Sequence, residues 1–228
     1  MKKLYFLFFI AALAIGSILA VNFNSVEFFN FKSMSSIQGS GNAKQETRNL
    51  AGFNEIEAGG AVNTEITVGQ DFSVIVETDD NLLQNIKTDI SGDTLKIYSE
   101  GRISPKTKIN IKISMPTLTK IDLSGVSTAI ATNLKGDSLE LKASGAARIK
   151  IDGETKDLSA EASGASKIIA ENLKTENADV DASGASTITV SPSGDLKADA
   201  SGASSVYYTG EPKNIEKDSS GASSVKKK

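Results

Sequence analysis

The sequence repeats one tetrapeptide, Ser-Gly-Ala-Ser or a close variant, six times between residues 124 and 223. Successive copies lie 18 to 20 residues apart, and their glycines are Gly125, Gly145, Gly164, Gly184, Gly202 and Gly221. This period is typical of a chain that winds into stacked coils, because one such unit is too small to bury an apolar face alone. The repeat therefore restricts the possible folds more than any other feature of the chain.

Within each repeat, apolar and polar residues alternate. Leu139, Leu141 and Ala143 precede one glycine and alternate with Glu140 and Lys142. Four residues after the glycines lies a column of apolar residues: Ala129, Ile149, Ile168, Ile188, Val206 and Val225. A period of two predicts strands with one face inward. The abundance of Gly, Ser, Asp and β-branched residues disfavours helices.

These patterns predict an all-β protein, a single-stranded parallel β-helix (β-solenoid) for which we expect a right-handed winding. The C-terminal half would form 18–20-residue coils, and the N-terminal half larger, less regular coils that cap the rod. The six glycines are expected at the corners, where positive φ is required. Ile149, Ile168, Ile188, Val206 and Val225 are expected to form the inner core column. We expect the repeated serines to serve packing; a row of nucleophiles or ligands is the weaker interpretation.

The N-terminus indicates export. Lys2 and Lys3 precede an apolar stretch that runs to Val21, which predicts a signal peptide over residues 1–20; an uncleaved anchor is the alternative. Residues 21–45 are predicted to be a flexible linker, and residues 46–228 the β-helix domain. Within that domain, Asp79 or Asp80 is expected to cap the start of a short helical turn.

The composition excludes several kinds of chemistry. The chain has no Cys and no His, so disulfides, zinc-cysteine sites, Cys nucleophiles and Ser-His triads are ruled out. No catalytic residue, cofactor or metal is predicted. Asp179 and Asp181 could share an outer face near a calcium ion, but one acidic pair supplies too few oxygen ligands.

The charge pattern disfavours nucleic acid as a partner. The net charge is −3, and the one basic run is Lys226-Lys227-Lys228 at the C-terminus. We expect this run to cap the open strand edge, because like charges oppose edge-to-edge pairing. A contact with anionic lipid or polysaccharide is the alternative role.

Several motifs of the N-terminal half accompany the repeat: Phe53-Asn54-Glu55-Ile56, Gly59-Gly60, Asp79-Asp80-Asn81-Leu82-Leu83 and Met115-Pro116-Thr117-Leu118. Together with the repeat they span about residues 46–228 and resemble the family of putative auto-transporter adhesins with a head GIN domain. The resemblance implies a single-domain β-helix that is exported to the cell envelope, where it adheres or binds a ligand. It brings no catalytic residues.

The sequence leaves several functions open. The leading hypothesis is a non-catalytic adhesion or ligand-binding protein, located in the periplasm, on the outer surface or secreted. Its partner would be a surface polysaccharide or an envelope protein, with membrane proximity through the N-terminus; the oligomeric state stays open. The alternatives are a polysaccharide lyase or hydrolase and a structural envelope spacer. An enzyme would need a cleft with converging carboxylates, whereas a binding protein would need a coherent patch on an outer face.

Overall fold

A computed structural model describes residues 36–228, which fold almost entirely into β-strands. The strands of the N-terminal half are β1 (Ile37–Gln38), β2 (Ala43–Arg48), β3 (Glu55–Ala58), β4 (Val62–Val68), β5 (Ser73–Asp79), β6 (Ile86–Ser91), β7 (Thr94–Ser99), β8 (Ile103–Ser104) and β9 (Ile109–Met115). A single 3-10 turn, Leu83–Asn85, lies between β5 and β6. The strands of the C-terminal half are β10 (Lys120–Leu123), β11 (Thr128–Ala143), β12 (Arg148–Ala162), β13 (Lys167–Ala182), β14 (Thr187–Pro192), β15 (Asp195–Ala200), β16 (Ser205–Tyr208), β17 (Asn214–Ser219) and β18 (Ser224–Lys227).

The C-terminal half is a parallel β-solenoid, which confirms the predicted fold class. Its stacked coils make about five turns. The residues just before successive corners pair in parallel register: Leu123, Ala143, Ala162, Ala182, Ala200 and Ser219. The coils are therefore 18 to 20 residues long, as the repeat predicted. The coils differ in length by one or two residues. The difference is accommodated after the strand segment that follows the corner, where the pairing register shifts, for example between Ala131 and Leu134.

The strands form two long faces that meet at the glycine corner. We call the strands that end before the corner the pre-corner face; it comprises β3, β10, the second halves of β11, β12 and β13, and β15 and β17. The strands that begin after the corner are the post-corner face; it comprises β4, the first halves of β11, β12 and β13, and β14, β16 and β18. Because side chains alternate along each strand, both faces contribute to one core and both present rows of side chains to solvent.

Glycine is required at the corners for two reasons. Gly164 has φ +72°, a conformation that L side chains rarely adopt. A Cβ placed on Gly164 would also lie 2.7 Å from the carbonyl oxygen of Gly145 in the preceding coil. Gly60 occupies the same column, since the backbone N–H of Val126 donates to its carbonyl at 2.7 Å. The glycine column therefore extends into the N-terminal half.

The last serine of the repeat forms a buried ladder. The side chains of Ser166, Ser186 and Ser204 are almost fully buried. Their hydroxyls donate to backbone carbonyls of the preceding coil at 2.9, 2.9 and 2.8 Å. The carbonyl that accepts from Ser186 belongs to Ala162 and also accepts the backbone N–H of Ser183. The ladder holds neighbouring coils together, and its hydroxyls are inaccessible as nucleophiles.

The N-terminal half does not stack in chain order. β3 lies between β7 and β10, and β4 lies between β9 and β11. β5 and β6 then run antiparallel to β9 and β7, and β2 runs antiparallel to β5. Irregular N-terminal layers were predicted, but this insertion and the antiparallel strands were not. Antiparallel strands close this end of the rod with short connections, which a parallel coil cannot do.

The predicted linker overlaps the folded unit. β1 and β2 begin at Ile37 and Ala43, so residues 36–45 do not form the flexible linker that their composition indicated. The predicted signal peptide and the rest of the linker lie outside the described residues. Ser40 holds this part of the chain in place, because its backbone N–H donates to Asn81 and its hydroxyl donates to Asp80.

Asp79 is the centre of this connection, and its predicted capping role is wrong. The 3-10 turn has no side-chain cap. The buried carboxylate of Asp79 instead accepts backbone N–H groups from Gly41, Lys106 and Thr107 at 2.7, 2.8 and 3.1 Å. Burial raises the pKa of Asp79, but the hydrogen bonds from Thr107, Gly41 and Lys106 outweigh burial and leave the pKa below its usual value.

Candidate binding faces

The pre-corner face is acidic. Because its strands are in register, equivalent outward side chains form rows along the rod. From β10 to β17, two such rows contain three lysines and eight carboxylates: Lys120, Lys142 and Lys197, with Asp122, Glu140, Glu161, Asp179, Asp181, Asp199, Glu216 and Asp218. Asp179 and Asp181, the acidic pair that was considered for calcium, lie among them.

Each of the three lysines on this face is ion-paired. Lys120 and Lys142 contact Glu140 at 3.2 and 2.8 Å. Lys197 lies 3.8 Å from Asp179 and 3.7 Å from Asp199. The remaining carboxylates repel one another, which is visible at Asp181. Partial burial raises its pKa, and the negative charges of Asp199, Glu161 and Asp179 raise it further.

A groove of about 620 Å³ lies on the pre-corner face. Its lining includes two lysines and five carboxylates, those of Glu55, Glu140, Asp157, Asp179 and Asp195. These carboxylates do not converge, because each is engaged with a neighbour. Asp157 accepts from Asn177 at 2.8 Å, and Asp195 accepts from Asn214 at 2.7 Å.

Glu140, at the centre of these contacts, does not have the raised pKa that a general acid requires. The hydrogen bond from Lys142, and then that from Lys120, lower the pKa of Glu140. Within residues 36–228, no group of three or more acidic side chains is placed to hold a metal ion. The groove is therefore lined by polar side chains that pair with one another between neighbouring coils.

From β11 to β18, the two outward rows of the post-corner face nearest the corner have the opposite charge. Two outward rows follow the corner by three and five residues. The first is Thr128, Arg148, Lys167, Thr187, Ser205 and Ser224, and the second is Ile130, Lys150, Ile169, Thr189, Tyr207 and Lys226. We call these twelve residues the basic face. They include four cations and no carboxylate.

None of the four cations of the basic face forms an ion pair within the described part of the chain. Arg148, Lys150, Lys167 and Lys226 are all exposed. Arg148 stands directly opposite Lys167 in the parallel register. Like charges in facing positions disfavour the sheet. The basic face therefore carries uncompensated positive charge that its own fold does not use.

Apolar and hydroxyl side chains surround these cations. Lys150 stands between Ile130 and Ile169 in the second row. Ile130 is 42% exposed, whereas Ile169 and Tyr207 are half-buried. Along the first row, hydroxyl side chains continue from the cations to the end of the rod: Thr187, Ser205 and Ser224. Along the rod, the basic face therefore has positive charge on β12 and β13 and hydroxyl groups on the strands that follow.

The residues singled out in the sequence lie in three places. The six corner glycines stack in one column, and Ile149, Ile168, Ile188 and Val206 are fully buried below the post-corner face. Val225 is partly buried and packs against this core. In the predicted edge cap, Lys226 is exposed, whereas Lys227 pairs with Glu211 at 2.6 Å and Lys228 with Glu171 at 2.5 Å.

The basic face was not predicted from the sequence. A signal was present, since Arg148, Lys150 and Lys167 occupy the outward positions three or five residues after a glycine, where the other repeats have Thr, Ser or Ile except at Tyr207 and Lys226. In the final coil another lysine lies at the exposed end of the core. Lys217 is exposed and pairs in register with the buried Ala198, and its ammonium lies 4.7 Å from the ring centre of Tyr208 and 3.1 Å from its hydroxyl.

The fold and these faces define a class: a β-solenoid with an acidic pre-corner face and a cluster of exposed cations on the other sheet face. The family model that matches the sequence, over residues 52–212, is the putative auto-transporter adhesin, head GIN domain family. The chain belongs to this family, as its motifs indicated. No match was found among curated proteins. Within the described residues there is no helix of the length and apolarity needed to cross a bilayer.

Solved structures share the fold. A putative adhesin from Bacteroides fragilis superposes with a TM-score of 0.71 at 22% identity, covering 85% of this chain and 100% of its own. A putative lipid binding protein from Parabacteroides distasonis has a TM-score of 0.54 at 20% identity, with the same coverage. A putative adhesin from Parabacteroides merdae has a TM-score of 0.54 at 17% identity, covering 85% and 99%. At these identities the likeness supports the fold alone.

Proposed function

We propose that this protein is a non-catalytic binding protein of the adhesive type, which engages a cell-surface or envelope component through a long, flat face of the rod. The observation that carries the proposal is the segregation of charge. The lysines of the pre-corner face are neutralised by neighbours, whereas the cations of the basic face are exposed and have no ion-pair partner among the described residues. The family description and the structural neighbours described as putative adhesins support this role.

A stacked rod suits such binding. Its coils repeat at about 4.8 Å, so equivalent side chains meet a long partner at regular intervals. Each exposed contact contributes little, but several contacts on one rigid surface act together and give useful avidity. The rigid core keeps the rows in register without the partner having to order them, which reduces the entropy lost on binding.

We place this activity outside the cytoplasm, in the periplasm, on the outer surface or in the medium. The adhesin-like family and the apolar N-terminal stretch after Lys2 and Lys3 support this location. Cell fractionation with an antibody tests it: the protein should be found with the envelope or in the medium, and a purely cytoplasmic pool would contradict the proposal.

The proposal is tested by a binding screen of the purified protein against a glycan panel and isolated envelope fractions, with and without calcium, while depolymerised product is monitored. Saturable binding without product is the expected result. Product release would contradict the proposal and indicate a polysaccharide lyase or hydrolase. Neither binding nor product would leave a structural spacer as the better account.

A further inference from the structure

From the arrangement of the basic face, we infer that it binds a linear anionic polysaccharide, with carboxylate or sulfate groups, laid along the axis of the rod. This inference rests on the proposed function, because it names the face and the ligand class of the same binding role. Three features carry it: the availability of the cations, the order of the polar groups and the shape of the apolar groups.

The cations are available to an external anion. Arg148, Lys150 and Lys167 are exposed on two adjacent strands and form no ion pair with any residue from 36 to 228. Two acidic residues lie further along the same strands and are already engaged: Glu171 is paired with Lys228, and Asp152 accepts the backbone N–H of Asn133. The hydrogen bond and charge of Lys228 lower the pKa of Glu171, with smaller contributions from Lys150 and Lys167. The planar guanidinium of Arg148 can hold a carboxylate or sulfate through two parallel hydrogen bonds.

The polar groups are arranged in a line. Beyond Arg148 and Lys167, the first row continues with the hydroxyls of Thr187, Ser205 and Ser224. Hydroxyl groups both donate and accept, so this row can hydrogen-bond the hydroxyls of a sugar chain. Tyr207 and Lys226 in the second row add an aromatic ring and a further cation near the end of the rod. A straight chain with anionic and hydroxyl groups complements this order.

The apolar side chains of the basic face are not suited to insertion into a bilayer. The aliphatic side chains of the basic face are Ile130 and Ile169, and Ile169 is half-buried. Proteins that lie on a bilayer insert protruding Trp, Phe or Leu side chains beside their cations. The two outward rows contain none of these three residue types. The face is therefore better suited to lie against a polymer than to enter a lipid headgroup layer.

The test compares two triple variants of the full chain. One is Arg148→Gln, Lys150→Gln and Lys167→Gln, and the matched control is Lys120→Gln, Lys142→Gln and Lys197→Gln on the pre-corner face. Both remove three positive charges, so net charge is equal. The probes are polygalacturonate, dextran sulfate, neutral dextran and vesicles of phosphatidylglycerol, each titrated at two salt concentrations. Thermal melting of both variants shows that they are folded.

The unmodified protein should bind polygalacturonate or dextran sulfate, but not neutral dextran, with an affinity that weakens as salt rises. The basic-face variant should lose at least about tenfold in affinity, and the control should stay within about threefold. If the triple variant does not fold, Lys150→Glu alone, at an exposed position, should weaken binding in the same direction.

Equal losses in both triple variants, or unchanged binding by the basic-face variant, would overturn the inference. Binding to the vesicles but to neither anionic polymer would also overturn it in favour of a lipid surface. If the protein binds an envelope fraction and the basic-face variant does so equally well, the inference fails while the proposed function stands. The absence of any binding by the unmodified protein would reject both.

Discussion

Replacing a corner glycine with alanine tests why the coils can stack. We expect Gly164→Ala to destabilise the protein more than Gly69→Ala, although both glycines have similar positive φ values of +72° and +81°. A new Cβ at Gly69 would have no neighbour within 4 Å. At Gly164 it would lie 2.7 Å from the carbonyl oxygen of Gly145 and 3.1 Å from its nitrogen, closer than real Cβ contacts.

The magnitudes separate the two effects. Positive φ costs an alanine about 1–2 kcal/mol, and this applies at both positions. At the corner, a clash with backbone adds about 1–3 kcal/mol, typical of overpacking at a site that cannot move freely. We therefore expect a loss of about 1–2 kcal/mol for Gly69→Ala and about 2–5 kcal/mol for Gly164→Ala. A change of 1 kcal/mol shifts the melting temperature of a domain of this size by about 2–4 °C.

Thermal and urea denaturation of both variants measure this difference, and hydrogen exchange locates it. Protection should fall at Ala165, whose N–H donates to the Gly145 carbonyl at 2.7 Å. Gly69→Asn and Gly164→Asn provide a second comparison, because Asn tolerates positive φ. Asn should recover stability at position 69 and not at position 164. Equal losses for the two alanine variants would refute the close-contact argument and leave backbone conformation as the whole reason for glycine.

Three further changes test the serine ladder, the acidic face and the N-terminal connection. Ser186→Ala removes a buried hydrogen bond of 2.9 Å and should cost about 1 kcal/mol in thermal denaturation, whereas Ser183→Ala, at a half-buried position of the same repeat, should be nearly neutral. Asp181→Asn should raise the stability at neutral pH by roughly 0.5 kcal/mol, after allowance for solvent screening. Because the folded-state pKa of Asp181 is raised, this gain should vanish below about pH 3.8, where the carboxyl is protonated in both states; a gain that persists there would contradict the repulsion argument. Asp79→Asn should destabilise the protein at neutral pH, because an amide nitrogen would face a backbone N–H. The folded-state pKa of Asp79 is lowered, so its contribution is present above about pH 3.8 and is lost as the pH falls through the folded-state value. Melting curves between pH 7 and pH 3 should show that the difference in stability between Asp79→Asn and the unmodified protein becomes smaller as the pH falls. A difference that stays constant would refute a role for the charge.

The regular half of the fold was predictable because its information is local. The alternation Leu139, Leu141, Ala143 and the glycine spacing are properties of short stretches of chain, and they specify strands, corners and coil length. The N-terminal half was less predictable because its pairings are not local. The insertion of β3 and β4 between later strands joins residues far apart in sequence, and no short pattern records it.

Asp79 shows how a correct motif can receive the wrong role. An acidic residue before Leu82-Leu83 fits an N-cap in sequence, and a turn does follow. The partners of its carboxylate, the N–H groups of Gly41, Lys106 and Thr107, lie 27 to 38 residues away. The contact of Gly41 with Asp79, together with the hydrogen bonds of Ser40, ties residues 36–45 to the folded unit despite their linker-like composition.

The candidate site, like the fold, was predictable from the sequence only in part. The sequence determined that Arg148, Lys150 and Lys167 point outward, because alternation along a strand decides which face a side chain takes. Whether an outward lysine is neutralised depends partly on its own strand, as with Lys142 and Glu140, and partly on its neighbour in the next coil. The neighbour in the next coil follows from the register: Lys120 meets Glu140 on the adjacent strand, whereas Arg148 meets Lys167. Only the tertiary structure decided these cross-coil neighbours, because coil lengths of 18, 19 and 20 residues are reconciled by the register shifts of the stacked rod.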